Sequence, residues 1–370
     1  MLPPQADILI LATIVSVTCA LPGVFLVLRG MSLMSDAISH SILLGIVLGF
    51  FLIRDISSPF LIIGAALVGI LTVALTEVII KTRKLKEDAA IGLVFPVLFS
   101  IGVILINRYA RNVHLDSDSV LLGEIGLAPF NRLSINQVDL GPVSWWVMGA
   151  ILLVNLVVIL SFYKEIKIAT FDAALSTALG FSPALIHYGI MSMVSITAVG
   201  AFDSVGSILV VALIIAPPSA AFLLTKKLST MLILSAFIGI LSSITGFFLA
   251  RAVDASIAGS MAMMTGIFFL LALLLAPEHG LIAKFWTRNK RKYIFAAQML
   301  VVHLLDHEGK PEESEENTFT NSLIHMRWSE KFAKKVVSRS VKDGLMADQS
   351  GKLKLTSLGR ETARKVMTMT

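Results

Sequence analysis

Long apolar runs separated by short polar connections fill the chain as far as about residue 280, after which the pattern becomes charged and periodic. The runs are Ile8 to Leu28, Ile38 to Ile53, Pro59 to Ile80, Ala89 to Asn107, Trp145 to Phe162, Ala184 to Ala201, Val205 to Leu224, Met231 to Ala250 and Ile257 to Ala276. Each approaches or reaches the length a helix needs to cross a bilayer. The pattern predicts an all-α polytopic membrane protein with about eight to nine transmembrane helices. The second run is short, and Pro96 and the pair Pro217 and Pro218 lie inside or at the end of others, so broken helices are expected there.

Beyond Trp286 no spanning run remains. The spacing predicts a helix over Lys292 to His307, an acidic loop over Glu308 to Asn317, and helices over Phe319 to Met326 and Ser329 to Asp343. A short ribbon over Gly344 to Leu355 and a last helix over Ser357 to Met367 complete the pattern. Gly344 is placed to close a helix, Ser350 and Gly351 to turn between two strands, and Thr356 or Ser357 to cap the helix that follows. Helices followed by a two-stranded wing describe a winged helix. The chain therefore divides into a membrane domain over residues 1–285 and a cytoplasmic winged-helix-like domain over residues 290–370.

Composition agrees: of 370 residues, 56% are hydrophobic and 15% charged, far from a soluble domain. Mean hydropathy is +0.83. Charge placement fixes orientation. Arg29, the group Lys81, Arg83, Lys84 and Lys86, then Lys164 and Lys167, Lys226 and Lys227, and the cluster Lys284 to Lys292 share one side if alternate connections are cytoplasmic. The opposite side carries Arg54, Arg251 and the segment Arg108 to Ser144, whose arginines are outnumbered by Asp116, Asp118, Glu124 and Asp139. The start of the chain is then outside and its end inside. Met1 to Asp7 holds no basic residue, the reverse of a secretory signal, so the first run is expected to remain as a span. The single cysteine, Cys19, excludes a disulfide framework or a Cys-type zinc site within one chain. The net charge of +6 follows from the inner loops and tail rather than from a nucleic-acid surface.

Asp36 and His40 bring chemistry into this apolar setting. An ionisable residue at bilayer depth costs roughly 2.5 to 3.5 kcal/mol, so a carboxylate and an imidazole one turn apart on a helix face need a reason. The segment Arg29 to Gly49 reads as a helix end at Arg29 and Gly30, an irregular stretch, and a new helix near Ser35. Ser35 is expected to cap that helix and leave Asp36 in its first turn, with His40 pointing the same way. Irregular backbone among spanning helices belongs where it lines a cavity. Metal coordination is one reading; a capping Asp beside a core His bonded to a carbonyl is the other.

The run Arg29 to Gly45 (RGMSLMSDAISHSILLG) resembles the R-G-x-S-L-x-x-D-A-x-S-H-x-x-L-x-G signature of the membrane subunit of ABC importers for manganese, zinc and iron. Further runs are similar to the same family: Lys81 to Gly92, Asn112 to Glu124, Thr177 to Pro183 and Val205 to Ala220. The likeness spans about residues 8–280. It implies a type II ABC-importer-like bundle in which Asp36 and His40 bind the metal in transit and the loop around Gly180 meets the ATPase. It also implies a homodimer, or a dimer with a related permease, in a bacterial cytoplasmic membrane. The implied partners are two ATPase subunits inside and a lipid-anchored or periplasmic metal-binding protein outside.

Several residue-level readings stand beside that likeness. Phe171 to Leu179 reads as a short amphipathic helix ended by Gly180, with Pro183 opening the next span, so Phe171, Asp172, Leu175, Leu179 and Gly180 are candidates for docking a partner or resting on lipid headgroups. No Gly-x-x-x-x-Gly-Lys-Ser/Thr run occurs, so ATP is expected to be hydrolysed by another polypeptide and the chain itself to be no enzyme. His114, Asp116 and Asp118 alternate along an edge that suits metal or partner contact, or a solvated acidic loop. Asp203 is a weaker candidate for lining the path, Asp254 and Glu278 are expected interfacial caps, and His187, His279, His303, His307 and His325 are read as sharing no ligand spacing. No covalently bound cofactor is expected. Carboxylate and imidazole without thiolate suit Mn(II), Fe(II) and Zn(II) as cargo and disfavour Cu(I).

The run Gly344 to Lys365 resembles the wing and following helix of metal-dependent and MarR-like repressors. Such a domain would offer Lys331, Lys334, Lys335, Arg339 and Lys342 to nucleic acid, or simply a solvated basic face that regulates or dimerises the transporter. The likeness to the importers, with the loop at His114 and the tail, leans toward manganese or iron. A zinc permease and a membrane-tethered metal-responsive transcription regulator remain as alternatives. An ion-coupled secondary carrier would want more intramembrane charge than the chain holds.

Overall fold

The computed structural model describes residues 3–54, 60–109, 125–135, 138–277, 280–311, 313–318, 326–349 and 351–368. Contacts divide the chain into two compact units, Met1–Gly280 and Leu281–Thr370.

Among the described residues of the first unit, nine helices are long and apolar enough to cross a membrane. They are α1 (Pro4–Leu28), α2 (Leu33–Ile53), α3 (Phe60–Lys81), α4 (Glu87–Tyr109), α5 (Val143–Ser161), α8 (Pro183–Val205), α9 (Ser207–Leu224), α10 (Leu228–Val253) and α11 (Ile257–Leu275), with the short α6 (Tyr163–Phe171) and α7 (Ala173–Ala178) between α5 and α8. The second span is longer than its apolar run suggests, because its polar first turns are helical too. The breaks expected at Pro96, Pro217 and Pro218 are not seen: α4 and α9 run straight through them. A helix packed among other helices can lose a hydrogen bond at proline and remain a helix.

α1 lies at the centre, packed by α5, α8, α9 and α10, while α2, α3 and α4 form a neighbouring group that α8 also touches. Lipid tails are as apolar as leucine, so small residues and hydroxyls must hold such helices together. At the α2–α3 crossing a Cβ on Gly45 would stand 2.5 Å from the carbonyl oxygen of Gly64, so the two backbones touch directly. Elsewhere Thr72 Oγ1 donates to Ser41 Oγ at 2.7 Å, Asn155 Nδ2 donates to Thr197 Oγ1 at 2.8 Å, and the hydroxyls of Ser16 and Ser243 meet across α1 and α10.

Before α5 a 3-10 turn (Ile125–Phe130) and an antiparallel hairpin, β1 (Arg132–Ile135) and β2 (Val138–Pro142), cover the start of α1. Nothing in the apolar pattern announces this hairpin. Arg132 Nη1 reaches Asp7 Oδ2 at 2.7 Å, and Nη2 reaches Asp139 Oδ2 at 2.7 Å. The Asp7 side chain is 1% exposed, so its charge depends on that guanidinium. The Arg132 hydrogen bond, helped by the Gly141 amide, holds the Asp139 carboxyl below the usual carboxylate range.

In the second unit α12 begins at Leu281 rather than Lys292 and runs to His307; α13 (Glu313–Glu316), α14 (Glu330–Lys342), β3 (Met346–Gln349), β4 (Lys352–Leu355) and α15 (Ser357–Thr368) follow. The helix expected over Phe319 to Met326 falls almost wholly outside the described residues, as does Ser350. Gly344, at φ +71°, ends α14, and Thr356 rather than Ser357 caps α15, its Oγ1 accepting from the Gly359 amide at 3.1 Å. β3 and β4 pair with Met346 opposite Leu355 and Gln349 opposite Lys352. The core joins Leu300, Val301 and Leu304 of α12 to Val336 and Val337 of α14, Leu353 of β4 and Ala363 of α15. Lys331, Lys334, Lys335, Arg339 and Lys342 lie on the exposed face of α14, opposite Ala333, Val336 and Val337.

Arg132→Ala leaves the buried Asp7 charge without its cation and is expected to lower the melting temperature of the detergent-purified protein by several degrees, against little change for the exposed Arg251→Ala. A carboxyl with a lowered pKa stabilises the folded state fully above about pH 4, and that contribution fades as pH falls through the folded-state value. The gap between wild type and Arg132→Ala should therefore shrink in melts recorded below about pH 4.

Candidate functional site

α1 ends at Arg29, and Gly30 turns the chain at φ +75°. The Gly30 amide donates to Val27 O at 3.2 Å and the Met31 amide to Leu26 O at 3.0 Å, the paired bonds of a glycine helix stop. This stop is so tight that α2 is already helical at Leu33. The cap expected at Ser35 is therefore displaced to Ser32, which makes no side-chain cap bond, while Ser35 is buried and its Oγ donates back to Ser32 O at 3.2 Å. Asp36 still falls in the first turn, where the helix dipole favours its charge.

His40 follows one turn later, its Nε2 3.4 Å from Asp36 Oδ1. Two ligands of one small ion stand about 3 Å apart, so this pair lies within reach of a shared cation. The imidazole stacks on Phe95 of α4 (centroids 5.6 Å apart, 27° between planes) and meets Phe99 edge-on. Met34, Ser35, Ala37, Ile38 and Ser39 around the pair are all buried, whereas the Asp36 and His40 side chains are 39% and 34% exposed. Carboxylate and imidazole thus occupy an open edge of α2 whose immediate neighbours along the helix are buried. That arrangement can take a hard or borderline dication while leaving positions for other ligands.

A second polar constellation lies nearby and has no counterpart in the sequence reading. His187 Nε2 of α8 is 2.6 Å from Glu77 Oε1 of α3, Tyr188 OH donates to Glu77 Oε2 at 2.5 Å, and Arg29 Nη1 is 2.8 Å from His187 Nδ1. A guanidinium only donates, so Nδ1 is the accepting nitrogen and the ring proton sits on Nε2, which lies beside Glu77 outside hydrogen-bond geometry. The signal was there: Glu77 is an acid inside an apolar run, costly unless paired. The network ties α1, α3 and α8 together beside the turn that launches the Asp36 helix.

The docking segment differs from the single helix expected over Phe171 to Leu179. Asp172 is extended and splits it: its Oδ1 accepts from the Leu175 amide at 2.9 Å and caps α7, so Phe171 ends α6. An Asp side chain competes with the helical backbone and prefers the cap. Gly180, at φ +86°, closes α7, the Phe181 amide donating to Ser176 O at 3.0 Å, and Ser182 then caps α8 with Pro183 in its first turn. Phe171, Leu175, Leu179 and Phe181 are exposed, an apolar surface spread over both short helices and the turn.

His114, Asp116 and Asp118 lie outside the described residues, as do Glu124, Glu278, His279 and His325. Asp203 is exposed near the end of α8, and Asp254 takes the left-handed C-cap of α10 at φ 55°. The reading that the remaining histidines share no ligand spacing fails in one place. His303 and His307 lie one turn apart on α12, and Glu316 joins them, one ligand atom from each falling within 4.8 Å of the others. The missing signal was the His-x-x-x-His spacing itself, since only folding back of the chain adds the third ligand.

Residues 5–276 match the ABC 3 transport family. The chain is similar to the zinc transport system membrane protein TroD of Treponema pallidum (strain Nichols), 49% identical over 358 residues that make up 97% of each chain. It is also similar to the manganese transport system membrane protein MntD of Bacillus subtilis (strain 168), 47% identical over 280 residues, 76% of this chain and 95% of that one. Among solved structures it resembles PsaBC from Streptococcus pneumoniae in complex with Fab, with a TM-score of 0.63 and 30% identity over 75% of this chain and 94% of that chain.

Glu77→Ala removes the acceptor of the Tyr188 hydroxyl and the carboxylate beside His187 and is expected to destabilise the detergent-purified protein by about 1 to 3 kcal/mol, the cost of leaving a mostly buried donor without its partner. Lys81→Ala, which loses only an exposed partner of Glu77 at 3.7 Å, is expected to cost far less. Equal melts for the two variants would remove the network as a structural element.

Proposed function

The chain belongs to the ABC 3 transport family, and from that premise we propose that Asp36 and His40 are the waypoint through which a divalent transition metal crosses the membrane. The protein is a multi-pass membrane permease of an importer. Manganese is the proposed cargo, with zinc as the alternative, since relatives of nearly equal identity carry each metal in their names. The carrying observation is the facing pair itself, an oxygen and a nitrogen 3.4 Å apart on a half-exposed edge. Few ligands suit a conduit, which must bind well enough to select and weakly enough to release.

A half-exposed carboxylate and imidazole on a spanning helix would be costly against lipid, which supports covering that edge with a second permease subunit. Residues 110–124, outside the described structure, hold the acidic His114, Asp116 and Asp118 motif, a candidate contact for an external metal-binding protein. ATP is used by a separate ATPase that docks on the apolar surface of Phe171, Leu175 and Leu179, with Asp172 and Gly180 fixing the turn. In the same reading the protein sits in a bacterial cytoplasmic membrane with residues 290–370 on the inner side, where the winged-helix-like pattern serves regulation rather than DNA recognition.

Asp36→Ala and His40→Ala are each expected to reduce uptake of radiolabelled manganese, measured with the cognate ATPase and binding protein, to background while the subunits still assemble. Near-normal uptake in either variant would sink the assignment. Leu175→Asp, on an exposed site, is expected to weaken co-purification of the ATPase and lower uptake without changing the melt. Undiminished co-purification would move the docking surface elsewhere.

A further inference from the structure

We infer that the second unit carries a metal site of its own, made by His303, His307 and Glu316 and suited to a hydrated divalent first-row transition cation. The geometry is built by the chain reversal after α12. His303 and His307 lie one turn apart on its last turns, ring centroids 4.6 Å apart and planes tilted by 49°. Gly309, at φ +79°, turns the chain; the Lys310 amide donates to His307 O at 3.2 Å and the Gly309 amide to Glu313 Oε2 at 2.7 Å. α13 then carries Glu316 back until its Oε2 stands 3.5 Å from His303 Nε2. That separation is close to the edge of a tetrahedron around an ion with ligand bonds of about 2 Å.

The side chains are 13% (His303), 14% (Glu316) and 20% (His307) exposed, so the cluster is sheltered yet open to water at its rim. Two neutral imidazoles and one carboxylate carry a single negative charge and no thiolate, a donor set for Zn(II), Mn(II), Fe(II) or Co(II) rather than Cu(I). Nearby charges are engaged around it. Asp306 lies 3.2 Å from Lys310 and 3.5 Å from His307 Nδ1 without a hydrogen bond to the ring, and Glu308 forms a bidentate pair with Arg360 of α15.

Occupancy would have a mechanical consequence. The residue after Glu316 is pinned to the hairpin: the Leu353 amide donates to Asn317 O at 2.9 Å, and Thr318 bridges to Lys352. An ion held by α12 and Glu316 therefore clamps the end of α12 to the edge of β4. That this ion is the cargo itself, read back as a signal of internal supply, rests on the permease reading. The site does not.

The test uses the full-length protein in detergent, with Asp36→Ala and His40→Ala introduced to silence the other pair. Co2+ binding, followed by equilibrium dialysis and by its visible ligand-field absorption, is expected to give one ion per chain. Glu316→Gln, which keeps the side-chain volume, and His307→Ala are each expected to weaken binding about tenfold or more. Co2+ should also raise the melting temperature of the parent and not of the Glu316→Gln protein. No bound Co2+, or binding undiminished by Glu316→Gln, would overturn the site and leave an ion pair alone. If His307→Ala does not fold, Glu316→Gln decides. Binding at one ion per chain supports the site whether or not the chain with Asp36 and His40 restored imports metal, so its failure and that of the permease reading are separable.

Discussion

A polar or charged group set among apolar helices has to be paired, because neither lipid nor a neighbouring leucine offers it a hydrogen bond. The first unit is organised by that requirement. Asp7 is closed off by Arg132 at 2.7 Å, and Glu77 by His187 at 2.6 Å with Tyr188 and Arg29 completing the group. Hydroxyls such as Thr72 and Ser41 satisfy one another across helices. Asp36 and His40 stand apart from this pattern: their contact is longer, 3.4 Å, and their edge of α2 is half open. Where the protein closes Asp7 and Glu77 into short contacts, it leaves this pair room for something else.

The two networks and the docking segment form a continuous chain of rigid parts. Gly180 and Ser182 lead from α7 into α8; one turn further on, His187 and Tyr188 grip Glu77 and reach Arg29. Arg29 ends α1, and the stop at Gly30 sets the start of the helix that carries Asp36. A displacement of the first turns of α8 thus has a short route, through paired polar groups rather than soft apolar packing, to the turn that precedes Asp36 and His40. Buried polar pairs suit such a role because a donor or acceptor left unpaired is costly. The hairpin performs the complementary task at the other end of α1, fixing its start through Arg132 and Asp7, together with Trp145 of α5, whose Nε1 donates to Asp7 O at 3.0 Å.

The second unit follows different rules. Its helices bury one stripe each, with Ala333, Val336 and Val337 inward and the lysines of α14 outward, as expected of a domain surrounded by water. Its small core is reinforced by specific local devices: the Gly344 helix stop, the Thr356 cap, the Glu308–Arg360 pair and the hairpin register. The TroD alignment covers 97% of the chain and so runs through this unit as well.

Read alone, the sequence determined the spans, because an apolar run long enough to cross a bilayer has no other way to satisfy its backbone. It also determined the Asp36–His40 spacing, since residues one turn apart share a helix face whatever surrounds them. The glycine stops at Gly30, Gly180 and Gly344 were equally local. What only the tertiary structure decided were relations between distant segments. Continuity through Pro96 and Pro217 depends on neighbouring helices. The partners of Glu77 and Asp7, and the meeting of Glu316 with His303, lie on other elements or beyond a chain reversal. Periodicity reports which face of an element is apolar but not which element will face it, so long-range pairing of charge had to await the fold.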